Sequence, residues 1–149
     1  MTNQTFDSDV SSSHSSAIPD NEVLGRLMPF AQTLGAEFTR YSREEVGARL
    51  DWAPALCTSG DMLHGGVVMS LADSTGALCA FLNLPEGATG TTTVESKTNF
   101  LHGVRKGFIE AVSRPLHIGR TVIVVETDVR DADDRLVARV VQTQLVLRS

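Results

Sequence analysis

Apolar and polar positions along this chain of 149 residues follow two different periods, and the switches between them mark its elements. Val23, Leu24, Leu27 and Met28 fall on one helical face, with Asp20 or Asn21 placed to cap it, which predicts a short helix over 21–28. Residues 35–41 and 45–52 read as strands joined by a polar turn at 42–44, and Pro54 closes the second. Residues 55–63 read as a loop centred on Thr58, Ser59, Gly60 and Asp61. The stretch 67–82 is apolar or small on nearly every face, the pattern of a buried helix, and Pro85 and Gly87 end it. Four β-branched runs follow at 89–100, 108–117, 121–130 and 136–147, separated by turn signals at 103–107, 118–120 and 131–135. Connections this short favour antiparallel pairing. One long apolar helix against one curved antiparallel sheet of about six strands is an α+β architecture.

Several strands are apolar on both faces, as in Val122-Ile123-Val124-Val125 and Val140-Val141. One helix covers only one side of such a sheet, so the second face or an edge is expected to meet another copy, giving a homo-oligomer. Residues 1–20 hold six serines and three aspartates among few apolar side chains, which predicts a disordered polar tail before a single domain over 21–149. The formal net charge is -5; without the tail it is 15 acids against 13 bases, and nine of those bases lie at or after Lys97. An acidic chain is a poor partner for nucleic acid, whereas an anionic small molecule remains compatible with the crowded bases. The two cysteines, Cys57 and Cys79, have neither metal-ligand nor redox spacing. No metal site or cofactor is therefore expected. The amino terminus lacks the pattern of a secretory signal. The best 18-residue window, inside 67–84, carries Asp73 and Asn83 and is not expected to span a membrane. A cytoplasmic protein is the expectation.

From Met62 through Pro85 there is one charged side chain, Asp73. A carboxylate in a buried helix costs several kcal/mol unless it is paired or used. Immediately before the helix stands Leu63-His64-Gly65-Gly66. A helix start offers unpaired N–H groups and partial positive charge, and two glycines let another atom approach them closely. Such fixed donors can stabilise negative charge on a carbonyl oxygen. Asp73 lies eight residues after Gly65, about 12 Å along the same axis, so one helix cannot bring both onto one reacting atom. Two antiparallel helices in a symmetric dimer can.

His64-Gly65-Gly66 followed by Leu71-Ala72-Asp73 resembles the signature of hotdog-fold acyl-CoA thioesterases of the PaaI type, the branch that includes phenylacetyl- and 4-hydroxybenzoyl-CoA thioesterases. The similarity runs from Leu34 to Leu147 and includes Phe100-Leu101-His102-Gly103-Val104 and Gly119-Arg120-Thr121. The resemblance implies a hotdog fold, a dimer or dimer of dimers (a homotetramer), and hydrolysis of an aryl- or short- to medium-chain acyl-CoA to acid and CoA. It implies Asp73 as nucleophile or general base, the Gly65 N–H as the group that polarises the thioester carbonyl, and His64 as a residue that shapes the site. A structural helix-start role for His64 fits the residue equally well. Thr58 stands where the family commonly has a polar amide, and Ala77 where it sometimes has a hydroxyl, a role open to Thr93. Gly103 replaces a usual proline, which is expected to loosen that turn.

The resemblance also implies coenzyme A contacts at Gly66, Thr93, His102, Arg105, Lys106, Arg120, Thr121 and Arg148, whose cations can hold phosphates. Val67, Val68, Met69, Leu71 and Ser74 are expected to wall the acyl pocket. Two other classes fit the same fold: a non-catalytic acyl-CoA-binding module, and a hydratase. The second usually pairs the aspartate with a histidine five residues on, where this chain has Leu78. The run Asp131-Ala132-Asp133-Asp134 lacks the glycine and glutamate of a calcium loop and reads as a hairpin turn.

Overall fold

The computed structural model describes residues 20–148. The expected tail thus lies outside the described residues, apart from Asp20. The Asp20 carboxylate accepts from the Glu22 N–H at 3.0 Å and caps α1 (Asn21–Leu27). The chain turns at Met28, and Pro29, whose missing N–H costs nothing in a first turn, opens a second helix, α2 (Pro29–Leu34). Gly35 ends it at φ 81, a left-handed position that favours glycine. The hydrophobic pattern missed α2 because six residues are too few to show a period. In consequence β1 is shorter than expected, at Glu37–Tyr41.

β2 spans Val46–Asp51. The expected loop after it is partly ordered by a 3-10 turn at Pro54–Leu56 and a single bridge between Cys57 and Leu63. Then come α3 (Gly65–Leu82), β3 (Gly90–Phe100), β4 (Phe108–Ile118), β5 (Val122–Asp131) and β6 (Leu136–Leu147). The six strands form one antiparallel sheet in the order β1-β2-β4-β5-β6-β3. Among the described residues β3 therefore pairs only with β6 and forms an edge. It is exposed along most of its length and bulged between Thr93 and Glu95.

α3 lies across one face of the sheet and buries Val68, Leu71, Ala72, Leu78 and Cys79. Leu50, Ile109, Ile123 and Val125 meet it from the strands, fully buried. Each large side chain removed from water there contributes about 1.5–3 kcal/mol. A polar seam crosses this core: Ser113 Oγ donates to Thr75 Oγ1 at 2.8 Å and meets Thr127 Oγ1 at 2.7 Å.

Two expectations need correction. α3 is not buried all round, because Met69, Asp73 and Phe81 form an exposed stripe at four-residue multiples. By length and composition α3 is also apolar enough to cross a bilayer, with a mean hydropathy of 1.4 over 18 residues, although its buried face is taken by the sheet. The outer face of the sheet is less apolar than the sequence suggested. Strand alternation turns Ile123, Val125 and Val129 inward and Glu126, Asp128 and Arg130 outward. Arg139 pairs there with Asp128 at 2.7 Å, Arg114 with Glu45 at 2.6 Å, and Arg40 with Glu110 at 2.9 Å. Apolar side chains such as Leu145 and Leu147 remain exposed on β6.

The aspartate run begins at the last residue of β5 and forms the β5–β6 turn, with Asp134 at φ 60. Asp131 Oδ1 accepts from the Asp133 and Arg135 N–H groups, both at 3.0 Å. Burial opposes charge on Asp131, but these donors and the Arg135 guanidinium outweigh it and hold the carboxyl below the usual range.

α3 stops at Asn83, a buried side chain whose Nδ2 donates to Arg43 O at 2.8 Å and Cys79 O at 2.9 Å. Asn83→Ala leaves both carbonyls without that donor, and urea unfolding should show a loss of about 1–3 kcal/mol. Burial pushes the Cys79 thiol up to about 11. In the native protein at neutral pH, mass spectrometry should find Cys79 free of iodoacetamide, with alkylation appearing only on unfolding.

Candidate active site

His64 precedes α3 with extended backbone (φ -65, ψ 134), and its Nδ1 accepts from the Gly66 N–H at 2.9 Å. That bond places the ring proton on Nε2. The structure thus gives His64 the helix-start role. Val67 and Val68 N–H both donate to His64 O, at 2.9 and 3.3 Å. Of the four donors that open the helix, the Gly65 N–H alone has no acceptor among the described residues. Both glycines sit close to a neighbouring ring. A Cβ on Gly66 would stand 3.0 Å from His64 Nδ1, and one on Gly65 would stand 3.2 Å from the Phe100 ring.

Thr58, Gly65, Val68, Phe100 and His102 line a cleft of about 320 Å³ over this helix start. Gly103 lies in it as well, where an added Cβ would displace the flexible end of the Met62 side chain.

Asp73 is two turns away and does not line that cleft. It is exposed on the α3 stripe, so the desolvation argument from sequence does not describe its surroundings in one chain. Its Oδ1 accepts from Thr93 Oγ1 at 3.2 Å and from Gln142 Nε2 at 3.4 Å. Gln144 Nε2 donates to Thr93 Oγ1 at 2.7 Å, and Thr91 Oγ1 donates to Gln144 Oε1 at 2.9 Å. Among the described residues nothing donates to Asp73 Oδ2. Thr93 thus stands beside the carboxylate, with one carboxylate oxygen held and the other open.

Sequence reasoning missed Gln142 and Gln144, both fully buried on β6. They share the inward parity of Val140 and Val146. Two amides on the core-facing register of a β-branched strand were the available signal. Gln142 fits because Gly76 has no side chain, since a Cβ there would stand 2.5 Å from Gln142 Oε1. That oxygen is buried without a hydrogen-bond partner.

The residues expected to hold coenzyme A separate into two groups. His102, Arg105 and Lys106 lie near the start of α3, with His102 Nδ1 2.8 Å from Leu136 O and Arg105 Nε donating to Gly60 O at 3.2 Å. Arg120, Thr121 and Arg148 lie at the opposite end of the strands, where Arg148 donates to Glu86 O at 3.2 Å and Arg120 O at 3.3 Å. Eleven residues of β3 separate the two ends, about 35 Å along the strand. Gly66, the second residue of α3, lies with the first group, whereas Thr93 belongs to neither. Of the expected acyl-pocket walls, Leu71 is fully buried in the core and does not face an open cleft.

Residues 60–138 match the model of the thioesterase superfamily. The chain belongs to that superfamily. It is 31% identical over 124 residues to the Mycobacterium tuberculosis protein Rv1847, covering 81% of this chain and 89% of that one. Thioesterase HI1161 from Haemophilus influenzae superposes with a TM-score of 0.79 at 27% identity, over 85% of this chain and 90% of the other. A mutant of thioesterase PA1618 from Pseudomonas aeruginosa gives 0.80 at 26% identity, over 89% and 96%. The fold is the hotdog fold, and the chain is a thioester hydrolase. This replaces the non-catalytic and hydratase alternatives.

Gln142→Met keeps the length of the side chain but removes the donor to Asp73 together with the orphaned oxygen. Unfolding should show stability unchanged or raised, while kcat for thioester hydrolysis falls about tenfold, the loss expected for a hydrogen bond to a charged group.

Proposed function

We propose that the protein hydrolyses an aryl- or short- to medium-chain acyl-CoA in a site shared by two copies, with Asp73 from one and the Gly65 N–H from the other. The single observation that carries this reading is the separation of the two groups. The free N–H at the helix start and the carboxylate with one open oxygen lie eight residues apart on a straight helix, about 12 Å. A thioester carbonyl needs both within hydrogen-bond reach.

The edge strand supports a two-fold partner. β3 presents an unpaired edge, and Val94 and Phe100 on it are more than half exposed. Antiparallel pairing of two such edges about a two-fold axis sets the far end of one sheet beside the near end of the other. His102, Arg105 and Lys106 of one copy then approach Arg120, Thr121 and Arg148 of its partner, which gathers the two basic groups toward one set of CoA phosphates.

In this site the Gly65 N–H donates to the thioester oxygen as negative charge develops on it. Asp73 Oδ2 acts on the thioester carbon as nucleophile, or takes a proton from the water whose oxygen bonds to that carbon. Thr93 and Gln142 hold Oδ1 in either case. The C–S bond breaks, CoA leaves as thiolate and is protonated, and the acid is released once water has supplied its oxygen.

Asp73→Asn should lower kcat on an acyl-CoA panel by about 10²-fold or more. Gly65→Pro removes the donor at a position where proline suits a helix, behind a His64 backbone that is already extended. It should cost about 10²- to 10³-fold with helicity retained by circular dichroism. Refolding the two inactive variants together should restore up to about a quarter of wild-type activity, since mixed dimers rebuild one intact site. Restoration of nothing would exclude the shared site.

A further inference from the structure

A second cleft opens one helical turn beyond Asp73. Leu27, Met28, Tyr41, Ala77, Leu78 and Phe81 line it, and it encloses about 320 Å³. We infer that this cleft is the acyl subsite and that it takes an aliphatic chain of medium length with no charged group at its end. This rests on the acyl-CoA thioesterase reading above and deepens it.

Position is the first argument. Asp73, Ala77 and Phe81 follow one another at four-residue steps, so they lie along one line on α3. Ala77 is the smallest side chain of that line, and its size opens the cleft toward the carboxylate. Thr91 and Gly90, at the start of β3, form the opposite wall. Thr91 is two residues before Thr93 on the same face of the strand, so a substrate carbonyl at Asp73 directs its acyl chain past both.

Chemistry is the second. Leu27 is 67% exposed and Phe81 52%, large apolar groups left to water at the rim of the cleft. Covering them with carbon is favourable by area. Among the described residues no charged side chain lines the cleft, and the Thr91 hydroxyl proton is already given to Gln144 Oε1 at 2.9 Å. Neither a carboxylate nor a cation at the end of the acyl group would find a counter-charge here. Reach sets the length: Asp73 to Phe81 is about 12 Å along the helix, which an extended chain of about eight to ten carbons fills.

The test is the chain-length profile of kcat/KM from butyryl- to palmitoyl-CoA, with phenylacetyl- and 4-hydroxybenzoyl-CoA beside them. A maximum at about eight to ten carbons is expected, each methylene up to that length adding at most about fourfold. Ala77→Leu, which narrows the entrance, should move the maximum to about four to six carbons. Leu27→Ala, at an exposed position less able to disturb folding, should flatten the rise. A maximum that neither variant moves, or an aryl-CoA preferred over every aliphatic one, overturns the assignment. Binding of non-hydrolysable alkyl-CoA thioethers to Asp73→Asn, followed by calorimetry, separates the two readings. Affinity that rises with chain length but no turnover by the wild type upholds the cleft and overturns the thioesterase mechanism. Turnover with affinity independent of chain length does the reverse.

Discussion

A straight α-helix rises by a fixed increment per residue, and that increment organises this molecule. Gly65 and Asp73 are held on one rigid rod, α3, whose buried side is locked into the sheet by Val68, Leu71 and Leu78. The distance between the free N–H and the open carboxylate oxygen therefore cannot be closed by bending or by a side-chain rotation. Their use on one carbonyl falls to the relation between copies, and the long unpaired edge of β3 is the element suited to set it. The exposed line on α3 extends the same logic, because every group that faces the substrate must project from the one side that the sheet leaves uncovered.

Support for Asp73 comes from an unusual direction. Hydrophobic strands normally present carbon to a helix, yet β6 presents Gln142 and Gln144, fully buried, at that point. A buried amide is stabilising only if its bonds are made. Gln144 makes them with Thr91 and Thr93, whereas Gln142 gives its N–H to Asp73 and leaves its oxygen unmatched. Gly76 makes the room, and any side chain there would displace the amide. The carboxylate is thus oriented by neutral donors on a single oxygen, which leaves the other oxygen unencumbered.

The periodic parts of the fold were legible in the sequence: the long helix, the four strands after it and their antiparallel pairing. What escaped had a physical reason in each case. α2 is shorter than two helical turns, so no period marks it. The exposed stripe of α3 was hidden because Ala77 is small, and Met69 and Phe81 read as core residues. The outer face of the sheet looked apolar because runs such as Val122–Val125 ignore the alternation that sends every second residue outward. At the candidate site, Gly65 and Asp73 stood out by spacing and charge. Gln142 and Gln144 did not, because their importance is one of strand parity. The bases that looked like one group along the chain proved to be two groups at opposite ends of a sheet.

The bulge at Val94 bears on more than the twist of an edge strand. By inserting one residue between Thr93 and Glu95 it fixes which side chains of β3 face the helix. In the proposed dimer the same strand sets the alignment of the two copies. A slip of two residues in that pairing would keep every side chain on its proper face while moving one copy's Gly65 past the other's Asp73 by about 7 Å. Such a dimer would be folded, stable and chemically silent, so catalytic competence would be a property of strand alignment as much as of any residue in the site.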